Sequence, residues 1–236
     1  MLNKKKFETT LRGKPVILEV SRLAEQANAA VFGYFGQTAV MATVVMDKSE
    51  SDKDYLPLTV EFEEKFYAAG KILGSRFVRR EGRAPESAIL SARMIDRTIR
   101  PLFDQRLRRD IQVVVTLLSL DDDDETYDPV FIGLLTASTA VAISDIPWGG
   151  PVAGVNINKG WRAFAAGASD KISMIELEGL DAEEKEIVKE FEAAQKEIAA
   201  LIKFQKDIVK EIGKAKTTVN LSEPDPQLRA KISKFL

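Results

Sequence analysis

Two adjacent apolar segments constrain the fold of this chain more than anything else in it. Residues 111–120 read IQVVVTLLSL, a near-continuous apolar run. Such a run is expected of a strand covered on both faces. After an acidic stretch, Asp128-Pro129 has the form of a helix N-cap followed by proline at the first helical position. The helix it opens runs to about Ile143 and carries Phe131, Leu134, Leu135, Val141 and Ile143 around its circumference. With no polar face, it is read as a buried helix. A covered strand and an enclosed helix call for stacked layers, so the fold class is α/β (α+β) with mixed sheets and packed helices.

The flanking segments fill in those layers. Val16 to Val20 reads as a strand after a Gly13-Lys14-Pro15 turn, and Ala30 to Phe35 with Ala39 to Met46 as a hairpin about Gly36-Gln37. Leu58 to Phe62 alternates as a strand does. A glycine-punctuated loop covers residues 69–84, and Pro85 opens a helix whose apolar stripe is Ala88, Ala92, Ile95, Ile99 and Leu102. Pro101 ends or kinks it. Pro147 to Pro151 is a turn, and Val152–Ile157, Trp161–Ala166 and Lys171–Leu177 are short strands. A long C-terminal helix starts at Asp181, with Glu184 completing a capping box, and stops at Gly213. Its seam is Ile187, Phe191, Ala194, Ile198, Leu201, Gln205, Ile208 and Ile212. Gln205 interrupts that seam, which favours one helix lying on a sheet over a coiled coil. The division expected is a core over residues 1–214 and, over 215–236, a polar linker leading into a helix cut short, as in a piece of a longer protein.

Composition narrows the chemistry. A chain of 236 residues can bury roughly 70–75% of its unfolded surface without a staple. It has no Cys and no His, which removes disulfides, thiolate catalysis and the commonest general base and zinc ligand. Neither a secretory signal nor a membrane-length apolar run is present, so a soluble, cytoplasmic protein with no membrane partner is expected.

Charge is unevenly distributed. Between Lys71 and Arg109 there are eleven basic and four acidic residues, a local charge of +7 in a chain whose net charge is −2. A polyanion meeting the protein at this place is the plainest explanation. Arg79, Arg80 and Arg83 lie among glycines, where backbone N–H groups can also reach an anion. Phe77 sits between basic residues as a stacking platform would. Arg93, Arg97 and Arg100 share one helical face, with Asp96 placed to relieve their repulsion; a solvated, salt-bridged face is the plain alternative. The run from Asp121 to Glu125, with Asp128, lacks the glycine of a calcium loop and reads as an acidic loop at a helix N-terminus. Dinucleotide, Walker and serine-elbow patterns are absent.

Residues 67–83 (YAAGKILGSRFVRREGR) and 92–103 (ARMIDRTIRPLF) resemble the polynucleotide phosphorylase family, specifically its first RNase PH-like core. Asp128-Pro129, Ala142-Ile143-Ser144, Ile146-Pro147-Trp148 and the hairpin from Gly33 to Val45 are similar to it as well. The resemblance runs from about Phe7 to Lys214. It implies an RNase PH-like fold and a phosphate-dependent 3′-to-5′ exoribonuclease in which two such cores per chain form a trimeric ring. It also implies that the second core carries the catalytic aspartates, the phosphate site and the magnesium or manganese, while the first grips RNA with its arginine loop. Two departures stand out. The family usually has Phe-Phe-Arg-Arg, and here one aromatic is replaced, leaving Phe77-Val78-Arg79-Arg80. After Gly160 a family strand and charged loop are missing, and Trp161-Arg162 bridge the gap.

The expectation is therefore a single-stranded-RNA-binding and ring-scaffolding core with no catalytic residue, metal or cofactor of its own. Its contacts are Phe77, Arg79, Arg80 and Arg83 in the loop and Arg93, Arg97 and Arg100 as a supporting basic face. Two alternatives remain open from the residues: a non-enzymatic RNA-binding subunit of an exosome-like ring, and an enzyme acting on a phosphorylated metabolite.

Overall fold

A computed structural model describes residues 4–21, 23–72, 74, 82, 84–121, 127–219, 221 and 225–235. Its larger sheet has six strands: β1 (Lys5–Leu11), β2 (Lys14–Val20), β3 (Ala29–Phe35), β4 (Thr38–Met46), β5 (Leu58–Glu64) and β6 (Ile111–Ser119), in the order β1-β2-β3-β4-β6-β5. All pairings are antiparallel except β5 with β6, which is parallel and leaves β5 at an edge. A smaller antiparallel sheet holds β7 (Ala153–Asn158), β8 (Arg162–Gly167) and β9 (Ile172–Glu178). The helices are α1 (Glu86–Ile99), α2 (Pro129–Ile143), α3 (Glu184–Ile212) and α4 (Pro226–Phe235).

Helix α2 is the centre of the molecule. It packs on β3, β4 and β6 on one side and on β7 on the other, with α1 and α3 at its flanks. Every residue from Phe131 to Ile143 is buried. Asp128 caps it as expected, its carboxylate accepting from Val130 N at 2.9 Å. Close approach to β3 depends on Gly33, where a Cβ would run into Thr136 and Ile132.

A polar knot sits inside this core. Gln205 of α3 is fully buried. Its Nε2 donates to Val152 O at 2.7 Å, and its Oε1 accepts from Ser138 Oγ at 2.7 Å and Thr139 Oγ1 at 3.2 Å. Ser138 Oγ in turn accepts from Val152 N at 2.9 Å. The break in the α3 seam is thus a plug that satisfies the backbone of Val152 at the entrance to β7. Around it Ala194, Ile198, Leu201, Ile202 and Ile208 bury the rest of α3, one helix lying on β7 and β8.

Several expectations are corrected. The capping box at Asp181 does not form: α3 begins at Glu184 behind Glu183, with no side-chain cap, because Asp181 takes a left-handed conformation (φ 52°). The Gly213 stop is real but extended (φ −64°) rather than left-handed. Strand β6 is enclosed on one face only; Ile111, Val113, Val115 and Leu117 are buried, and Gln112 on the other face is exposed. Strand β1 has no counterpart in the sequence reading. It is an edge strand with an exposed row of Lys5, Lys6, Glu8 and Thr10, and charge of that kind protects a sheet edge while hiding it from a hydrophobicity search. Its turn to β2 is Arg12-Gly13, both with positive φ (50° and 78°), the two-residue geometry that matches strand twist.

Beyond Gly213 the chain bonds back to the core. Lys214 N donates to Ile143 O at 2.9 Å and Thr217 N to Asp145 O at 2.7 Å. Lys216 Nζ donates to the carbonyls of Val141, Ala142 and Ser144 at 3.0, 2.9 and 2.7 Å, a cation on the C-terminal end of α2.

Candidate nucleic-acid interface

Helix α1 carries the described part of the basic island. Its apolar stripe, Ala88, Ala92, Ile95 and Ile99, is buried against β5 and α2, while Leu102 is half-buried. Its C-terminal end is held by the turn at Trp148, whose Nε1 donates to Ile99 O at 3.0 Å, and by Gly149 N, which donates to Leu102 O at 2.9 Å. This anchoring fixes the outward face, where Arg93 and Arg97 are exposed. Neither has an ion pair among the described residues.

Arg100 behaves differently from the supporting face expected of it. Its Nη2 and Nε donate to the two Asp96 oxygens at 2.7 and 2.9 Å. The same guanidinium donates to Leu58 O at 2.9 Å and Leu56 O at 3.5 Å. It is half-buried and joins the end of α1 to the start of β5. Asp96 therefore serves Arg100 and not Arg93. Other cations of the island are also occupied: Arg106 pairs with Asp104 at 2.7 Å, and Arg108 Nη1 donates to the carbonyls of Gln105 and Leu107 at 2.7 and 3.2 Å. The hydrogen bond from the Arg106 side chain holds the Asp104 carboxyl down at about 2. Phe77, Arg79, Arg80 and Arg83 lie outside the described residues, as do residues 122–125 of the acidic run.

A cleft of about 1110 Å³ runs along β5 and the flank of α1. Lys71 and Gly82, on either side of the arginine-rich loop in sequence, line it together with Arg93. The arrangement brings Arg93 next to the roots of that loop, with Arg97 one turn further along α1. Sequence reasoning missed the cleft, because nothing local in the sequence signals that β5 is an edge strand. Among the described residues no group of three or more acidic side chains is placed to hold a metal ion. Asp128 is engaged at the α2 N-terminus and by Asn156 Nδ2 at 2.6 Å.

Two sheets enclosing one buried helix, with a basic helix packed along β5, define an RNase PH type of architecture. The model of the 3′ exoribonuclease family, domain 1, matches residues 12–147, and the chain belongs to that family. Within it, the chain is 40% identical over 242 residues to a protein of Exiguobacterium sibiricum named polyribonucleotide nucleotidyltransferase, covering 95% of this chain and 32% of that one. A polyribonucleotide nucleotidyltransferase of Thermus thermophilus is 39% identical over 239 residues, covering 94% of this chain and 33% of its own length. The chain spans about a third of the length of these curated relatives. Among solved structures, rice (Oryza sativa) Rrp46 superposes with a TM-score of 0.61 over 89% of this chain and 96% of that one, at 11% identity; this likeness supports the fold alone.

Proposed function

We propose that the chain is the RNA-gripping first core of a phosphate-dependent 3′-to-5′ exoribonuclease, and that it contributes RNA binding and ring scaffolding rather than the reaction centre. The observation that carries this reading is the division of labour within the basic island. Arg100, Arg106 and Arg108 are bonded within the protein, whereas Arg93 and Arg97 stay exposed without ion pairs among the described residues, Arg93 beside the roots of the arginine-rich loop. Exposed guanidinium groups suit phosphate, which they meet in a bidentate fork. Phe77, Arg79, Arg80 and Arg83 are assigned to the same RNA on the strength of their pattern. Homologues named as nucleotidyltransferases support the enzyme over the exosome-like and small-molecule readings.

On this reading the magnesium or manganese and the phosphate belong to a second RNase PH-like core, and a trimeric ring in the cytoplasm is the setting. The isolated chain is then inactive. The test combines two measurements on it. Nucleoside diphosphate release from single-stranded RNA with phosphate and either metal should stay at background. Binding of the same RNA should weaken steeply with salt, with a log–log slope of about −0.7 per phosphate neutralised. Turnover by the chain alone, or a salt-independent affinity, overturns the assignment.

A further inference from the structure

The chain beyond α3 is held to the core by polar bonds and by little burial. Gly213, Lys214, Ala215 and Lys216 are exposed and Thr217 is half-buried. Apolar contact with the core resumes at Val219 and Leu221. Between those points the segment is tied to the end of α2 and to the residue before β3. Lys214 N donates to Ile143 O and Thr217 N to Asp145 O. Lys214 Nζ donates to Asn28 O at 2.6 Å, and Asn28 Nδ2 donates to Asp145 Oδ1 at 2.7 Å. Lys216 Nζ supplies three bonds by itself, to the carbonyls of Val141, Ala142 and Ser144. Those carbonyls stand at the negative end of a 15-residue helix, where a cation is favoured. Burial of the amine among them works the other way and pulls it down to about 8, with Asp145 opposing that pull. Bonds gained and water lost therefore nearly offset one another at Lys216.

We propose that residues 214–217 are a releasable strap, latched by the Lys216 ammonium on the end of α2, which sets the direction in which the chain leaves the core toward α4. A segment held by polar bonds with few buried apolar contacts is the kind that opens locally while the core stays folded. Gly213 is its hinge. A Cβ there would run into Val209 O, so the docked turn off α3 closes with glycine and strains with any other residue. With the latch open, the segment swings about Gly213 and α2 keeps its place. Release also removes one wall of a second cleft, of about 830 Å³, which Lys214 and Thr217 line together with Asn28, Asp145 and Arg109. One ammonium group thus governs both the path toward α4 and the shape of that cleft, as expected of a small charge event acting on a two-state element. The inference does not depend on the RNA reading.

The chain has no cysteine, so spin labels can be placed at chosen sites. Ala200→Cys on α3 and Thr218→Cys just past the strap are both at exposed positions, and the distance distribution between their labels reports the strap's direction. It should be narrow with Lys216 present and about twice as wide with Lys216→Met, which keeps an unbranched stem and removes the charge. Amide exchange at pH 7, with intrinsic rates divided out, is the second readout. Lys214 and Thr217 should lose about tenfold in protection in Lys216→Met, while Val152, whose N–H is bonded in the polar knot, should hold within about twofold. Lys216→Arg keeps a cation at the helix end and should keep protection within about threefold. Gly213→Ala should release the same two amides with Lys216 intact. Equal widths, or unchanged protection at Lys214 and Thr217 in Lys216→Met, show that the other bonds hold the segment and overturn the latch. Loss of Val152 protection in step with the strap makes Lys216 part of global stability and overturns a separate unit. An arginine variant as loose as the methionine one overturns the role of charge, and Gly213→Ala with both amides still protected overturns the hinge.

Discussion

Helices α1 and α2 pack against each other on the same sheet, yet they handle polarity in opposite ways. In α2 every polar side chain is enclosed and bonded: Thr136 to Ile132 O at 2.6 Å, Thr139 to Leu135 O at 2.8 Å, and Ser138 to Gln205 and Val152. In α1 the buried face also bonds its polar groups, Ser91 Oγ to Ser87 O at 2.9 Å and Thr98 Oγ1 to Met94 O at 2.8 Å, but on the outer face Arg93 and Arg97 stand in solvent without ion pairs among the described residues. Protein stability is concentrated where polar groups are satisfied, and capacity to bind is concentrated where they are not. Arg100 marks the boundary between the two regimes, because it belongs to the helix of unspent cations and is itself bonded like the core.

The largest effect expected from breaking this contrast is at the knot. Gln205→Leu keeps the volume and removes the partner of Val152 O and of Ser138. It should cost about 2–4 kcal/mol, since buried groups left unpaired lose their full solvation. Urea denaturation of the chain measures it. A neutral or stabilising result would mean that the knot is tolerated rather than required. RNA affinity of the folded variant should not change.

The arginines sharpen the comparison at intermediate size. Arg100→Ala should destabilise by about 1–2 kcal/mol through loss of the Asp96 pair and the Leu58 carbonyl contact. Lysine should not restore it, because the bond is a fork. Arg93→Ala/Arg97→Ala should leave stability within about 0.5 kcal/mol, or raise it slightly by removing an i,i+4 repulsion. On the RNA side the order reverses: the Arg93/Arg97 pair should shallow the salt slope by about 1.4, at about 0.7 per contact, and Arg100→Ala should not. Equal slopes for the two variants would erase the distinction between spent and unspent cations.

How much of this was legible in the sequence follows the same line. Helix α2 and strand β6 are readable because burial writes itself as continuous apolar runs, and the stripe of α1 because it writes itself as apolar periodicity. The Asp128 cap is readable because its chemistry is local. Gln205 could be seen as an irregularity in a seam but not as a plug, since its partners lie 53 to 67 positions away. Arg100 could not be separated from Arg93 and Arg97 for the same reason: spacing places all three on one face, and only the start of β5 decides which is bonded. Strand β1 was invisible because its exposed edge is written in charges. The apparent capping box at Asp181 failed because a local motif yielded to the path the chain takes out of β9.

The smallest expected effect tests the spent side of the island. Asp104 is exposed, and the Arg106 hydrogen bond, helped by the Arg106 backbone, lowers its carboxyl from the ordinary 3.8 to about 2. A carboxyl depressed on folding binds its proton more weakly in the folded than in the unfolded chain. It therefore adds stability that is complete above about pH 4 and is lost as pH falls toward 2. Because the pair faces water, screening keeps its contribution under about 1 kcal/mol. Urea midpoints of the wild type and Asp104→Asn should differ slightly at pH 5 and converge as the pH approaches 2. Added salt should close the gap at pH 5 as well. A gap that persists unchanged down to pH 2 would show that Asp104 acts through its shape and its backbone contact rather than its charge. The Asp104–Arg106 pair would then not count as a charge neutralised within the island.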